Sequence, residues 1–85
     1  MNVIYLSADW CGPCKMFKPV VQQVSQESGV PIHYVNVDYD TSFTEKYNIK
    51  SIPTIIILDG SGQVLFQNSG VMSRDQLLST LTKFK

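Results

Sequence analysis

The sequence predicts an α/β domain, a four-stranded mixed sheet flanked by helices in the order β-α-β-α-β-β-α. Three observations carry that prediction. A nearly continuous apolar run at residues 2–7, a helical stripe, and a second β-rich run at residues 31–37 make a βαβ unit with parallel strands. Asp59-Gly60-Ser61-Gly62 is a hairpin turn between two further strand-like runs. The 85 residues suit one domain, residues 1–85, and no repeat, linker or low-complexity stretch divides them.

The elements follow in order. Asn2-Val3-Ile4-Tyr5-Leu6-Ser7 lacks polar alternation, as a central buried strand should. Ser7-Ala8-Asp9-Trp10 is a loop. A helix starts near Cys11 or Gly12 and runs to about Ser28, and Pro13 fits its first turn, where a missing N–H costs nothing. Cys14, Phe17, Val21 and Val24 recur at helical spacing as a buried stripe. Pro19 removes a donor inside this helix and is expected to kink it, and Gly29 stops it. After the strand at 31–37, Asp38-Tyr39-Asp40 turns the chain. Thr41 or Ser42 can cap a short helix to about Tyr47, with Phe43 and Tyr47 on one face. Ser51-Ile52-Pro53 leads into a strand at 54–58, and residues 63–68 form the last strand. Gly70 breaks the chain. Ser73 and Gln76 form a capping box for a final helix whose apolar stripe is Leu77, Leu78, Leu81 and Phe84.

Composition narrows the function. Seven Lys and Arg balance seven Asp and Glu, so there is no basic field for nucleic acid and no polybasic tail for an anionic membrane. No apolar run reaches the length of a membrane span. No charged leader with a small-residue cleavage site precedes Val3, so no secretory signal is visible; the expectation is a cytoplasmic protein and, separately, a monomer. A small secreted scaffold needs several disulfides to brace a lean core. Cys11 and Cys14 close too small a loop for that, which leaves them for chemistry.

Trp10-Cys11-Gly12-Pro13-Cys14-Lys15 is the centre of that chemistry. Cys11 falls where a strand ends and a helix begins, where unpaired N–H groups and the helix dipole favour a thiolate. Cys14 follows one turn later, close enough for a disulfide and expected to be more buried than an exposed Cys11. Gly12 and Pro13 permit and stiffen the turn. A low-pKa thiolate followed by a second thiol is the minimal equipment for thiol–disulfide exchange.

These residues resemble the thioredoxin active site, Ser51-Ile52-Pro53-Thr54 resembles that family's cis-proline segment, and Asp59-Gly60 through Gly70 resembles its closing hairpin. The resemblance implies a thioredoxin-like fold and a protein-disulfide reductase. It implies that Cys11 is the nucleophile and Cys14 the resolving thiol. Trp10, Gly12, Pro13, Ile52, Pro53 and Gly70 would be the substrate-binding residues, with a cis bond before Pro53. It implies no bound cofactor beyond the Cys11–Cys14 disulfide. NADPH would act indirectly through thioredoxin reductase, and ribonucleotide reductase would be a plausible client. A glutaredoxin-like reductant recycled by glutathione, or a thioredoxin-fold binding subunit, are the alternatives. The chain has no nucleotide-binding glycine motif of its own.

Three departures stand beside the resemblance. The family's buried aspartate falls at Tyr5, and its partner lysine at Tyr34, so the usual proton-handling pair is absent. The strand and helix that usually precede the first strand are also missing, which leaves strand 31–37 as an edge blunted by Pro31 and His33. Blander roles suit the other residues. A zinc site needs four ligands and only His33 is available beside the cysteines, so no metal is expected. Asp38 and Asp40 suit a turn. Tyr5 and Tyr34 read as core aromatics with satisfied hydroxyls, and His33 as a solvated strand residue. Asp9, Lys15 and Lys18 read as solvated surface, and Val71 and Met72 as packing that borders the groove.

Overall fold

A computed structural model describes residues 1–85. Its elements are β1 (Asn2–Ser7), α1 (Gly12–Ser28), β2 (Ile32–Asn36), α2 (Ser42–Lys46), β3 (Thr54–Leu58), β4 (Val64–Ser69) and α3 (Arg74–Phe84). This is the expected order, with several boundaries moved by a residue. The sheet order is β2-β1-β3-β4, with β1 parallel to β2 and antiparallel to β3, and β3 antiparallel to β4. The last pairing shifts register between Ile57 and Leu58, and the final strand runs from Val64 to Ser69.

β1 is apolar throughout because both of its faces are covered. Val3 and Tyr5 join Ile55 and Ile57 under α1 and α3, packed on Phe17, Val21, Val24, Leu77 and Leu81. Ile4 and Leu6 join Ile56 and Leu58 on the other face, where Val35, Phe43, Tyr47 and Ile49 cover them. Each fully buried Leu, Ile, Val or Phe contributes about 1.5–3 kcal/mol, so this two-sided strand accounts for much of the core. α3 begins with the expected capping box, Ser73 accepting from Gln76 N–H while the Gln76 side chain accepts from Ser73 N–H. α1 runs through Pro19 and ends at Gly29, whose φ of 71° suits a residue without Cβ.

Two expectations need correction. Thr41 occupies the N-cap position of α2, but neither its side chain nor that of Ser42 caps the helix. Thr41 already has helical dihedrals and makes no capping bond, while Asp40 Oδ1 accepts from the Ser42 N–H at 3.0 Å and from its hydroxyl at 2.6 Å. The carboxylate one residue upstream is the stronger acceptor. Tyr34 is not a core residue: it is 44% exposed. It lies on edge strand β2, with its ring edge-on to Tyr5 and the Lys18 Nζ 5.8 Å above it. His33 is exposed, as expected.

The hairpin between β3 and β4 is held by a carboxylate. Asp59 Oδ1 accepts from the Ser61 N–H at 2.8 Å, the Ser61 hydroxyl at 2.7 Å and the Gln63 N–H at 2.9 Å. These bonds, the Ser61 hydroxyl first, hold its pKa below the ordinary 3.8. A lowered folded-state pKa gives stability that is present above the unfolded value and lost as pH falls through the folded one. Asp59→Asn should therefore flatten the loss of stability below about pH 4, measured by urea unfolding across an acid series. An unchanged acid profile would refute the role of this carboxylate.

Candidate active site

The site forms where β1 runs out into α1. Parallel β1 and β2 leave the sheet at one end, and the Val37 N–H donates to the Ser7 carbonyl at 2.9 Å, which holds the two exits side by side. A tight turn follows, with the Cys11 N–H donating to the Ala8 carbonyl at 3.2 Å. Cys11 is the N-cap of α1. Its backbone is extended (φ −84°, ψ 108°), and its Sγ accepts from the Cys14 N–H at 3.2 Å. A sulfur in that position meets unpaired N–H groups and the positive end of the helix, which favour a thiolate once the pair is reduced.

Cys11 and Cys14 are joined as a disulfide across a Cα–Cα distance of 5.2 Å. The expected contrast in exposure is small: Cys11 is 4% exposed and Cys14 2%. Both sit with Ala8 in a small apolar cluster, and Val37 and Ile52 pack against it. Cys11 is thus covered from the β2 exit and from the segment before β3, while Gly12 and Pro13 form an exposed rim.

Trp10 is 70% exposed, and its indole is held. Trp10 Nε1 donates to Asp38 Oδ2 at 3.0 Å. The Asp38 N–H donates to Asn36 Oδ1 at 2.9 Å, and Asn36 Nδ2 donates to Asp9 Oδ1 at 3.2 Å. Asp38 is therefore more than a turn residue: it fixes the aromatic beside Cys11. Sequence reasoning missed this bond. The available signal was that Asp38 follows a strand parallel to the one that leads to Trp10, so both come out at one sheet end.

The Ile52–Pro53 peptide is cis, as the resemblance implied. The Pro53 carbonyl accepts from the Gly70 N–H at 2.8 Å, and Gly70 has φ 104°, a conformation that favours glycine. Thr54 Oγ1 donates to the Ser51 carbonyl at 2.7 Å and lies 3.1 Å from Ser69 Oγ. A depression of about 500 Å³ runs beside Trp10 and Ile52, walled by Val37 and Ile49 with Thr44, Lys50 and Ser51 at its polar side. Of the expected substrate-binding residues, Trp10 and Ile52 line this depression. Gly12, Pro13, Pro53 and Gly70 do not.

Tyr5 is fully buried, and its hydroxyl donates to the Cys14 carbonyl at 2.7 Å. Its ring lies edge-on to Phe17. Burial pushes its pKa above 10.0. No three His, Cys, Asp or Glu side chains converge on a metal position.

Comparison with known proteins agrees with this geometry. The family profile described as "Thioredoxin" matches residues 1–83. A thioredoxin of Synechocystis sp. is 40% identical over 79 residues, which is 91% of this chain and 73% of the relative. A thioredoxin of Bacillus subtilis is 36% identical over 78 residues, 89% of this chain and 74% of the relative. Among solved structures, malaria-parasite thioredoxin-2, described as a component of the protein secretion machinery, superposes with TM-score 0.83 and 27% identity over 96% of this chain and 81% of its own. A thioredoxin variant from Halobacterium salinarum superposes with TM-score 0.88 over 98% of this chain and 73% of its own, a likeness of fold at 24% identity.

The hold of Asp38 on Trp10 is directly measurable, because Trp10 is the sole tryptophan. Asp38→Ala should free the indole and lower its fluorescence anisotropy, with a loss of stability of no more than about 1.5 kcal/mol for one exposed bond. Unchanged anisotropy would show that the bond does not restrain the ring.

Proposed function

The chain belongs to the thioredoxin family, and from that premise we propose that Cys11 attacks protein disulfides while Cys14 resolves the product. The protein is a thiol–disulfide oxidoreductase with protein-disulfide reductase activity: its relatives are thioredoxins, and its Cys-x-x-Cys pair lies at disulfide distance. The observation that supports the assignment of roles is the capping position of Cys11, whose sulfur faces the free end of α1.

In the reducing direction the Cys11 thiolate attacks one sulfur of a client disulfide. The Cys11–client bond forms, the client S–S bond breaks, and the leaving thiolate takes a proton from solvent. Cys14 then loses its proton and attacks the Cys11 sulfur. The Cys11–Cys14 bond forms, the Cys11–client bond breaks, and the client leaves with two thiols while the protein carries the disulfide. Trp10 and Ile52 seat an extended client chain over their depression, and Gly12, Pro13, Pro53 and Gly70 complete the client-binding surface around it.

The pair is returned to the dithiol by thioredoxin reductase with NADPH behind it, in the cytoplasm, and ribonucleotide reductase is a suitable client. Identities of 40% and 36% to thioredoxins and the Gly12-Pro13 pair between the cysteines support that reading over recycling by glutathione.

The test is reduction of insulin disulfides by the protein with either NADPH and thioredoxin reductase or glutathione and glutathione reductase. Turnover is expected with the first system. Cys11→Ser should abolish it, and Cys14→Ser should halt at a mixed disulfide with the client. Turnover driven by glutathione alone would overturn the recycling assignment.

A further inference from the structure

Before Cys14 can attack, it must lose a proton in a nearly closed site. The groups around it are few. β1 supplies Tyr5, the loop before α1 supplies Asp9, α1 itself supplies Lys15 and Lys18, and β2 supplies Tyr34 beyond Tyr5. Ile52 and Val37, which pack against the disulfide, and Pro53 carry no titratable group, and Asp38, next to Val37, is exposed and accepts from Trp10 Nε1. No carboxylate and no histidine is buried anywhere, since Thr54 is the one buried polar residue outside the apolar core. The Tyr5 hydroxyl is directed at the Cys14 carbonyl, and its burial favours the protonated form. The core therefore holds no base for this thiol.

A half-open pocket has Cys14 in its wall. A space of about 220 Å³ lies between the end of β1 and the first two turns of α1, walled by Ser7, Ala8, Asp9, Cys14, Lys15 and Lys18. Water takes about 30 Å³ each in the liquid, so several molecules fit, and the wall offers them polar partners. This opening shares no residue with the depression beside Trp10 and Ile52. A client seated over Cys11 would cover the depression and leave the cavity in contact with solvent.

We propose that this cavity is the proton exit of Cys14. The thiol proton passes to a cavity water and out between Asp9 and Lys18. The Cys14 thiolate then displaces the client thiolate from Cys11, and solvent protonates the client. Tyr5 is a positioning residue, holding the backbone of Cys14 through its carbonyl. This rests on the assignment of Cys14 as the resolving thiol.

The two steps separate with a symmetric nitrothiobenzoate disulfide as substrate, mixed in stopped flow with the reduced protein. One coloured thiolate appears when Cys11 attacks and a second when Cys14 resolves. Ser7→Leu fills the cavity. Desolvation by about one pKa unit should slow the second phase about tenfold at neutral pH and leave the first nearly unchanged. Exposed Lys18→Met keeps the fold should Ser7→Leu lose it. It should raise the apparent pKa of the second phase, while Asp9→Asn should lower it. Tyr5→Phe should slow the second phase without moving its pH profile. A second phase unaffected in both Ser7→Leu and Lys18→Met would overturn the exit, and a pH profile displaced in Tyr5→Phe would make Tyr5 the base instead. Cys14→Ser should release one equivalent only. Release of two would remove the resolving role itself, a failure distinct from the others.

Discussion

The placement of β1 between β2 and β3 is the constraint on which the site depends. A strand bonded on both edges and buried on both faces cannot slide, because a shift of one residue would exchange Val3 and Tyr5 with Ile4 and Leu6 across the sheet. That immobility sets where the chain leaves the sheet. Ala8 and Cys11 then close a turn, and α1 starts with a sulfur on its cap. The Tyr5 hydroxyl carries the constraint one step further. Its bond to the Cys14 carbonyl ties the first turn of the helix to the middle of the central strand.

The loops around the sulfurs are fixed by polar bonds as well as by the packing of Val37 and Ile52. Asp9, Asn36, Asp38 and Trp10 form one linked series across the ends of the two parallel strands. Pro53 and Gly70 are joined through the backbone, and Thr54 bridges Ser51 and Ser69. An exposed indole is therefore held in one orientation without being buried. This suits a surface that must meet varied partners: the aromatic area is available, and its conformational entropy is already largely spent before contact.

Most of the architecture was legible in the sequence because its signals are local. The apolar run of β1, the stripe of Cys14, Phe17, Val21 and Val24, the Asp59-Gly60-Ser61-Gly62 turn and the Ser73–Gln76 box each involve residues close together in the chain. The errors fell where distant segments meet. Tyr34 was expected in the core because it is aromatic and in a strand, but an edge strand with thin cover leaves it at the surface. The capping of α2 passed to Asp40 through competition between neighbouring acceptors, which propensity alone does not rank. The Trp10–Asp38 bond spans 28 residues and depends on strand order. The near-equal burial of Cys11 and Cys14 depends on cover from Val37 and Ile52, which the motif itself does not contain.

Burial of both sulfurs brings a chemical difficulty that the fold must meet. A thiolate is costly away from water, and the two cysteines need charge at different moments. For Cys11 the end of α1 supplies fixed dipoles, which act without any titrating partner. Cys14 lies inside the same helix, where its own N–H is directed at the Cys11 sulfur, so this source is not available to it. Tyr5 has filled the core position facing the helix with a group that donates to the backbone and resists ionisation. What remains for Cys14 is water. Ser7 is short enough to leave room for it, and Asp9 and Lys18 keep the opening polar. Under the proposed exit the two thiols are served from different directions, one by the helix and one by solvent, and a client seated at the first leaves the second open.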